Sequence, residues 1–265
     1  MEFVGSSDSA KKVFLTQVRV IGALILREMR VRFGRTQFGY LWAVVEPLAY
    51  IAAFASIFYF AERHPPIGTS MPTFFATGIL PFFLFRNLGN QLAGAFEANR
   101  ALLMYPIVVR LDTVVARAVL EVATLIFIIL IVFLFLAHLD LAAAPADVPR
   151  MIEALILLSL FGFGIGLLNA VIIEQISSWQ NLFRLAMMPL LFVSGVFFTL
   201  ESVPPNVRYY MSWNPIIHGV ELFRDGYYPN FRSAGLDKDF LVWSGIITTV
   251  VALSAERVLR GRSPG

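Results

Sequence analysis

Apolar residues run through this chain in long blocks, without the short alternations of a soluble domain. A helix needs about 20 mostly apolar residues to cross a hydrocarbon core of about 30 Å. Six blocks fit that requirement, at 41–60, 73–93, 113–138, 151–173, 184–200 and 239–258. The second is diluted by Asn87, Asn90 and Gln91. Between the fifth and sixth lies a long Pro-containing segment, 201–238, too apolar for a plain loop. The pattern predicts an all-α polytopic membrane protein: a segment over 1–40, a transmembrane domain over 41–258 and a tail over 259–265.

Ahead of the first block, residues 11–30 form an amphipathic helix. At about 100° per residue, Lys12, Arg19 and Arg30 share one side, opposite Phe14, Val18, Ile21, Ile25 and Met29. Such a helix can lie on the inner leaflet or pack as a cytosolic helix with one solvated face. The run VIGALIL at 20–26 has the length of a signal-peptide core, but REMRVR follows it in place of a small-residue cleavage site.

Composition sharpens the class. Of 265 residues 58% are hydrophobic and 15% charged, against about 45–50% and about 25% in soluble domains. A net charge of +3 gives no footing for nucleic-acid binding, and the absence of cysteine excludes disulfides and thiolate chemistry. Lys and Arg concentrate before residue 40, at Arg100, Arg110, Arg117 and Arg184, and in the tail, which places both termini in the cytoplasm. The 201–238 segment then faces outward.

The stretch RVRFGRTQFGYLWAVVEP (30–47) carries a carboxylate into the first apolar block. Glu46 either caps a helix beginning at Pro47 or faces a polar cavity, as intramembrane ionisable groups usually do. Counting about 1.5 Å per residue, Arg86 in the second block and Glu121 in the third fall in the same slab. An unpaired Arg there costs at least about 2.5–3.5 kcal/mol, so Arg86 is expected to pair with Glu46 or Glu121. The pair can lock helices together or border a water-accessible route for substrate, with Tyr50 beside it.

FGFGIG at 161–166 is not a phosphate loop: it lies inside an apolar block, and Gly162 and Gly166 have the spacing that lets helices approach closely. Gly34 and Gly39 begin a Walker A pattern, but Tyr40-Leu41 stands where Lys-Ser/Thr is required. An intramembrane hydrolase lacks its base, since His64, His138 and His218 all fall in outer connections. No His/carboxylate cluster has metal-ligand spacing.

Two connections stand out. RYYMSWNPIIHGVELFRDGYYP (208–229) sets His218, Glu221, Leu222 and Asp225 on one helical face, amid Trp213, Tyr209 and Tyr210. It reads as an interfacial cap or as the outer gate of a conduit, with Trp213, His218, Glu221 and Arg224 at its mouth. EANRALLMYPIVVRLDTVVAR (97–117) is short, inner and partly apolar. Its Leu102, Leu103 and Tyr105, rimmed by charge, suit a docking site or a surface-lying helix, and Pro106 would end that helix.

In order and wording, REMRVRFGRTQFGYLWAVVEPLAY (27–50), FFATGILPFFLFRN (74–87), GAFEANRALLMYPIVVRLDTVVARAVLE (94–121) and WNPIIHGVELFRDG (213–226) resemble the ABC-2-type polysaccharide exporters. Most similar is the inner-membrane permease of Gram-negative capsular polysaccharide export. The resemblance implies type V exporter architecture: a homodimer in the inner membrane with six spans per subunit and re-entrant outer helices near 204–226. It implies two copies of a separate ATPase, which hold the ATP and Mg; this chain needs no cofactor. It makes 97–105 a coupling helix, with Glu97, Asn99, Arg100, Leu103 and Tyr105 against the ATPase and the loop near 174–183 as a second contact. The implied cargo is an acidic, lipid-linked polysaccharide handed to periplasmic and outer-membrane proteins, with O-antigen or another undecaprenyl-linked glycan as the alternative.

Overall fold

The computed structural model describes residues 5–33, 39–105 and 107–260, and side chains within 15–31, 41–105 and 107–259. Among the described residues all regular structure is helical. The helices are α1 (Gly5–Phe33), α2 (Gly39–Phe60), α3 (Met71–Ala93), α4 (Ala95–Ala98), α5 (Arg110–His138), α6 (Val148–Gln175), α7 (Trp179–Val193), α8 (Pro205–Met211), α9 (Pro215–Tyr227) and α10 (Lys238–Arg260). Short 3₁₀ turns lie at Leu102–Met104 and Leu200–Ser202. Pro106 and the tail from residue 261 lie outside the described residues, as do the side chains of Lys12 and Phe14.

Among the described residues four helices are long and apolar enough to cross a membrane: Leu41–Phe60, Arg110–His138, Val148–Gln175 and Lys238–Leu259. The block at 73–93 forms α3, whose polar residues dilute it because it is the central post of the bundle. It is buried along most of its length and packs against α2, α5, α6, α7 and α9. Ser70 starts it by accepting from the Thr73 amide, and Thr73 Oγ1 ties that end to the Leu141 carbonyl at 2.6 Å.

The block at 184–200 is not one helix. α7 begins earlier and stops at Val193. Its 15 residues give about 22 Å at about 1.5 Å per residue, short of a bilayer core. Beyond it the chain turns through Gly195, whose φ of 75° suits glycine.

Close approach is built in at α6. A Cβ on Gly166 would stand 2.7 Å from the Leu88 carbonyl oxygen, and one on Gly162 3.0 Å from Leu88 Cδ1. The 162/166 pair therefore seats α6 on α3, the packing role its spacing predicts. Gly164 faces the other way, where a Cβ would lie 2.6 Å from Thr248 Oγ1 on α10. Asn169 fixes the register, donating to the Gly89 carbonyl at 3.0 Å and accepting from Trp179 Nε1 at 2.9 Å.

α1 presents Leu24 to the body of the protein and keeps Arg19 and Arg30 exposed. Polar latches hold it: Arg117 Nε lies 2.8 Å from Glu28 Oε1, and Gln17 donates to Asp112. α1 packs along α5, with Ile21, Ile25 and Met29 partly buried.

Candidate functional site

Pro47 lies inside α2, eight residues after its start, so Glu46 does not cap a helix. Pro47 withholds a donor from the Ala43 carbonyl one turn back. Glu46 instead meets Arg86 of α3, whose Nη2 donates to Oε1 at 2.7 Å. Arg86 also reaches Asn87 Oδ1 at 3.3 Å and lies over the Phe83 ring, 3.7 Å from its centroid. Tyr50 sets its ring edge-on to Phe83 at 5.3 Å. Of the two partners open to Arg86 in the sequence, the fold selects Glu46.

This pair borders a cavity of about 430 Å³. Helix α2 supplies Glu46 and Tyr50, and α3 supplies Arg86, Asn87, Asn90 and Gln91. Helix α7 supplies Gln180, Arg184 and, further along the same face, Met187, Met188 and Leu191. The arrangement offers amides, the Glu46–Arg86 pair, a second arginine and soft apolar surface. Its polar wall can hydrogen-bond a hydroxyl-rich chain. Among the described residues no three His, Asp or Glu side chains could hold a metal ion.

Glu121 does not join this cavity. It is buried and lines a second one of about 260 Å³ with Glu28, Gln91, Arg117 and Leu120, under α1. α5 turns the face that carries Glu121 toward α1. Gln91 borders both cavities.

On the α4 side, the expected helix over 97–105 is two pieces: α4, then the 3₁₀ turn at 102–104. Asn99 is buried, donates to the Ala95 carbonyl at 2.8 Å and accepts from Arg27 of α1. Its side chain pins α1 to this turn. Glu97, Arg100 and Leu103 line a groove of about 530 Å³ together with Ile173, Glu174, Gln175, Ser177 and Gln180. The two segments expected to meet an ATPase thus border one groove. Met104 and Tyr105 stand out beside it, 83% and 61% exposed.

The outer segment divides. Trp213 is exposed and sits with Tyr209 at a cleft of about 420 Å³. His218, Glu221 and Arg224 are buried within the chain, because α9 is enclosed by α3, α6 and α10. His218 Nε2 is 2.8 Å from the Ser212 carbonyl, and its Nδ1 accepts from the Asp237 amide at 3.0 Å. Glu221 Oε1 accepts from the Leu200 amide at 3.1 Å. Arg224 donates to the carbonyls of Gly195, Phe198 and Val196 at 2.5, 2.9 and 3.0 Å, and lies over the Phe74 ring. The irregular backbone beyond α7 therefore gets its donors from one guanidinium. Glu221 and Arg224 clamp the chain internally. Sequence reasoning missed this, and also the latch of Asp225 to Arg150 and Arg232 at 2.6 and 2.7 Å.

The family model for ABC-2 type transporters matches residues 19–228, from α1 through α9. The chain belongs to the ABC-2 type transporter family. This ABC-2 permease is 34% identical to the polysialic acid transport protein KpsM of Escherichia coli, over 94% of its own length and 96% of the relative's. It is 32% identical to the capsule polysaccharide export inner-membrane protein BexB of Haemophilus influenzae, over 94% of each chain. It is 34% identical to the capsule polysaccharide export inner-membrane protein CtrC of Neisseria meningitidis serogroup A, over 81% of each. Membership makes the chain a transport permease, with ATP hydrolysis in a separate ABC ATPase.

Proposed function

We propose that this ABC-2 permease carries capsular polysaccharide across the inner membrane, driven by its ATPase partner. The observation that carries the reading is its full-length similarity to capsule polysaccharide export permeases. The polar cavity of α2, α3 and α7 supports it, since a hydroxyl-rich polymer needs a wet path with weak contacts along it. In this proposal Glu46, Tyr50 and Arg86 border the path, and Trp213 with Tyr209 offers stacking surface near its outer end. Glu121 stands at the α1 cavity beside it.

The finer architecture is proposed with it. α3 and α7, with the turn beyond α7, complete six spans, and α8 and α9 are the re-entrant outer helices. Both termini face the cytoplasm, and two copies form the transporter. The groove of Glu97, Arg100 and Leu103, with Tyr105 at its edge, seats each ATPase. Exposed apolar side chains at Tyr105 and Met104 support docking there. A lipid-linked, acidic cargo passes on to periplasmic and outer-membrane partners. Deletion of the chain is expected to remove surface glycan, and complementation to restore it. Unchanged surface glycan on deletion would contradict the proposal.

A further inference from the structure

The cavity of α2, α3 and α7 holds two arginines in different electrostatic states. Arg86 is matched: it donates to Glu46 at 2.7 Å and lies over Phe83. Arg184 lines the same cavity one helical turn after Gln180, and it is exposed. Among the described residues it has neither a carboxylate nor a hydrogen-bond partner. The remaining polar lining is neutral: Tyr50, Asn87, Asn90, Gln91 and Gln180. With Glu46 balanced by Arg86, the uncompensated charge of the cavity is that of Arg184.

A guanidinium in an apolar helix is costly unless it meets water or an anion. Its planar fork suits a carboxylate or phosphate, which it can grip through two parallel hydrogen bonds. The amides around it suit the hydroxyls flanking such a group on a sugar chain. We infer that Arg184 is the specificity-determining contact for an oxyanion group of the transported glycan, with Arg86 a positioning residue tied to Glu46. The inference rests on the export reading and deepens it. The phosphate of a membrane lipid is the other source of the same oxyanion chemistry.

The test uses the permease co-purified with its ATPase and reconstituted in nanodiscs. Binding of a labelled galacturonic acid hexamer is compared with that of a dextran hexamer. Wild type is expected to prefer the acidic hexamer, with a preference that weakens as salt rises. Arg184→Gln should lower the acidic-to-neutral affinity ratio about tenfold, the scale of one charge-assisted hydrogen bond, and remove its salt dependence. Arg184→Lys should keep most of it. A ratio unchanged in Arg184→Gln overturns the inference, and loss of co-purified phosphatidylglycerol in that variant would assign Arg184 to lipid instead. Equal binding of both hexamers by wild type overturns it too, while leaving export standing. Wild type that binds neither hexamer counts against the export reading itself.

Discussion

Replacing Arg224 by Met keeps an unbranched apolar stem and removes the guanidinium with its donors. In the native fold the guanidinium is fully buried and satisfies three carbonyls within 3.0 Å. A fourth, that of Phe74, lies at 3.5 Å. Glu221, also fully buried, has its Oε1 3.9 Å from Arg224 Nη1. Without Arg224 its carboxylate keeps only part of its compensation. Removing one partner from a buried charge arrangement costs about 3–5 kcal/mol, because the remaining groups stay desolvated. At about 2–4 °C per kcal/mol for a chain of this size, the melting midpoint in detergent should fall by about 10 °C. Tryptophan fluorescence against temperature reads it. Arg224→Met with Glu221→Leu should recover part of the loss, since it removes the stranded charge but leaves the 195–198 carbonyls without donors. A single variant melting within about 2 °C of wild type would refute the clamp and show that this backbone finds its partners elsewhere.

Tyr105→Asp places a charge on the exposed apolar surface beside Met104; it should abolish ATPase co-purification while membrane insertion persists, and a retained complex on pull-down would contradict docking there. Glu46→Leu strands Arg86 in the cavity. Because the Glu46 side chain is 43% exposed, the stability change should stay within about 1 kcal/mol, so assembly survives while export stops; normal surface glycan would count against a path role. Gly164→Val drives a side chain into Thr248 and the Thr249 backbone amide, 2.6 and 2.7 Å from the Cβ position. It should destabilise by about 1–3 kcal/mol, and an unchanged melting curve would mean that α6 and α10 do not approach so closely.

Much of the site was legible before any packing was known. A carboxylate and an arginine in apolar blocks demand compensation, and counting residues along helices brought Glu46 and Arg86 to one depth. Depth is a one-dimensional quantity, however, and azimuth is not. Glu121 satisfies the same count yet faces α1, because the rotation of α5 is set by what packs on each side of it. In the sequence Arg184 is one of the inner-side positive charges, at the start of an apolar block. That it lacks a partner, and shares a cavity with a balanced pair, depends on three helices at once.

The outer segment shows the same division. Its aromatic and charged text marked it as unusual, and the i, i+3, i+4, i+7 spacing gave the helix that became α9. Nothing in that spacing says that α3, α6 and α10 enclose it, so the sequence leaves a cap and a gate equally open, while the fold uses these charges to hold the chain together inside. Alone, the sequence determined helical class, membrane residence, the glycine seam of α6 and the need to neutralise buried charge, because each follows from local composition and period. Only the tertiary structure decided which carboxylate meets which guanidinium and where α7 breaks, because those choices depend on distances between residues far apart along the chain.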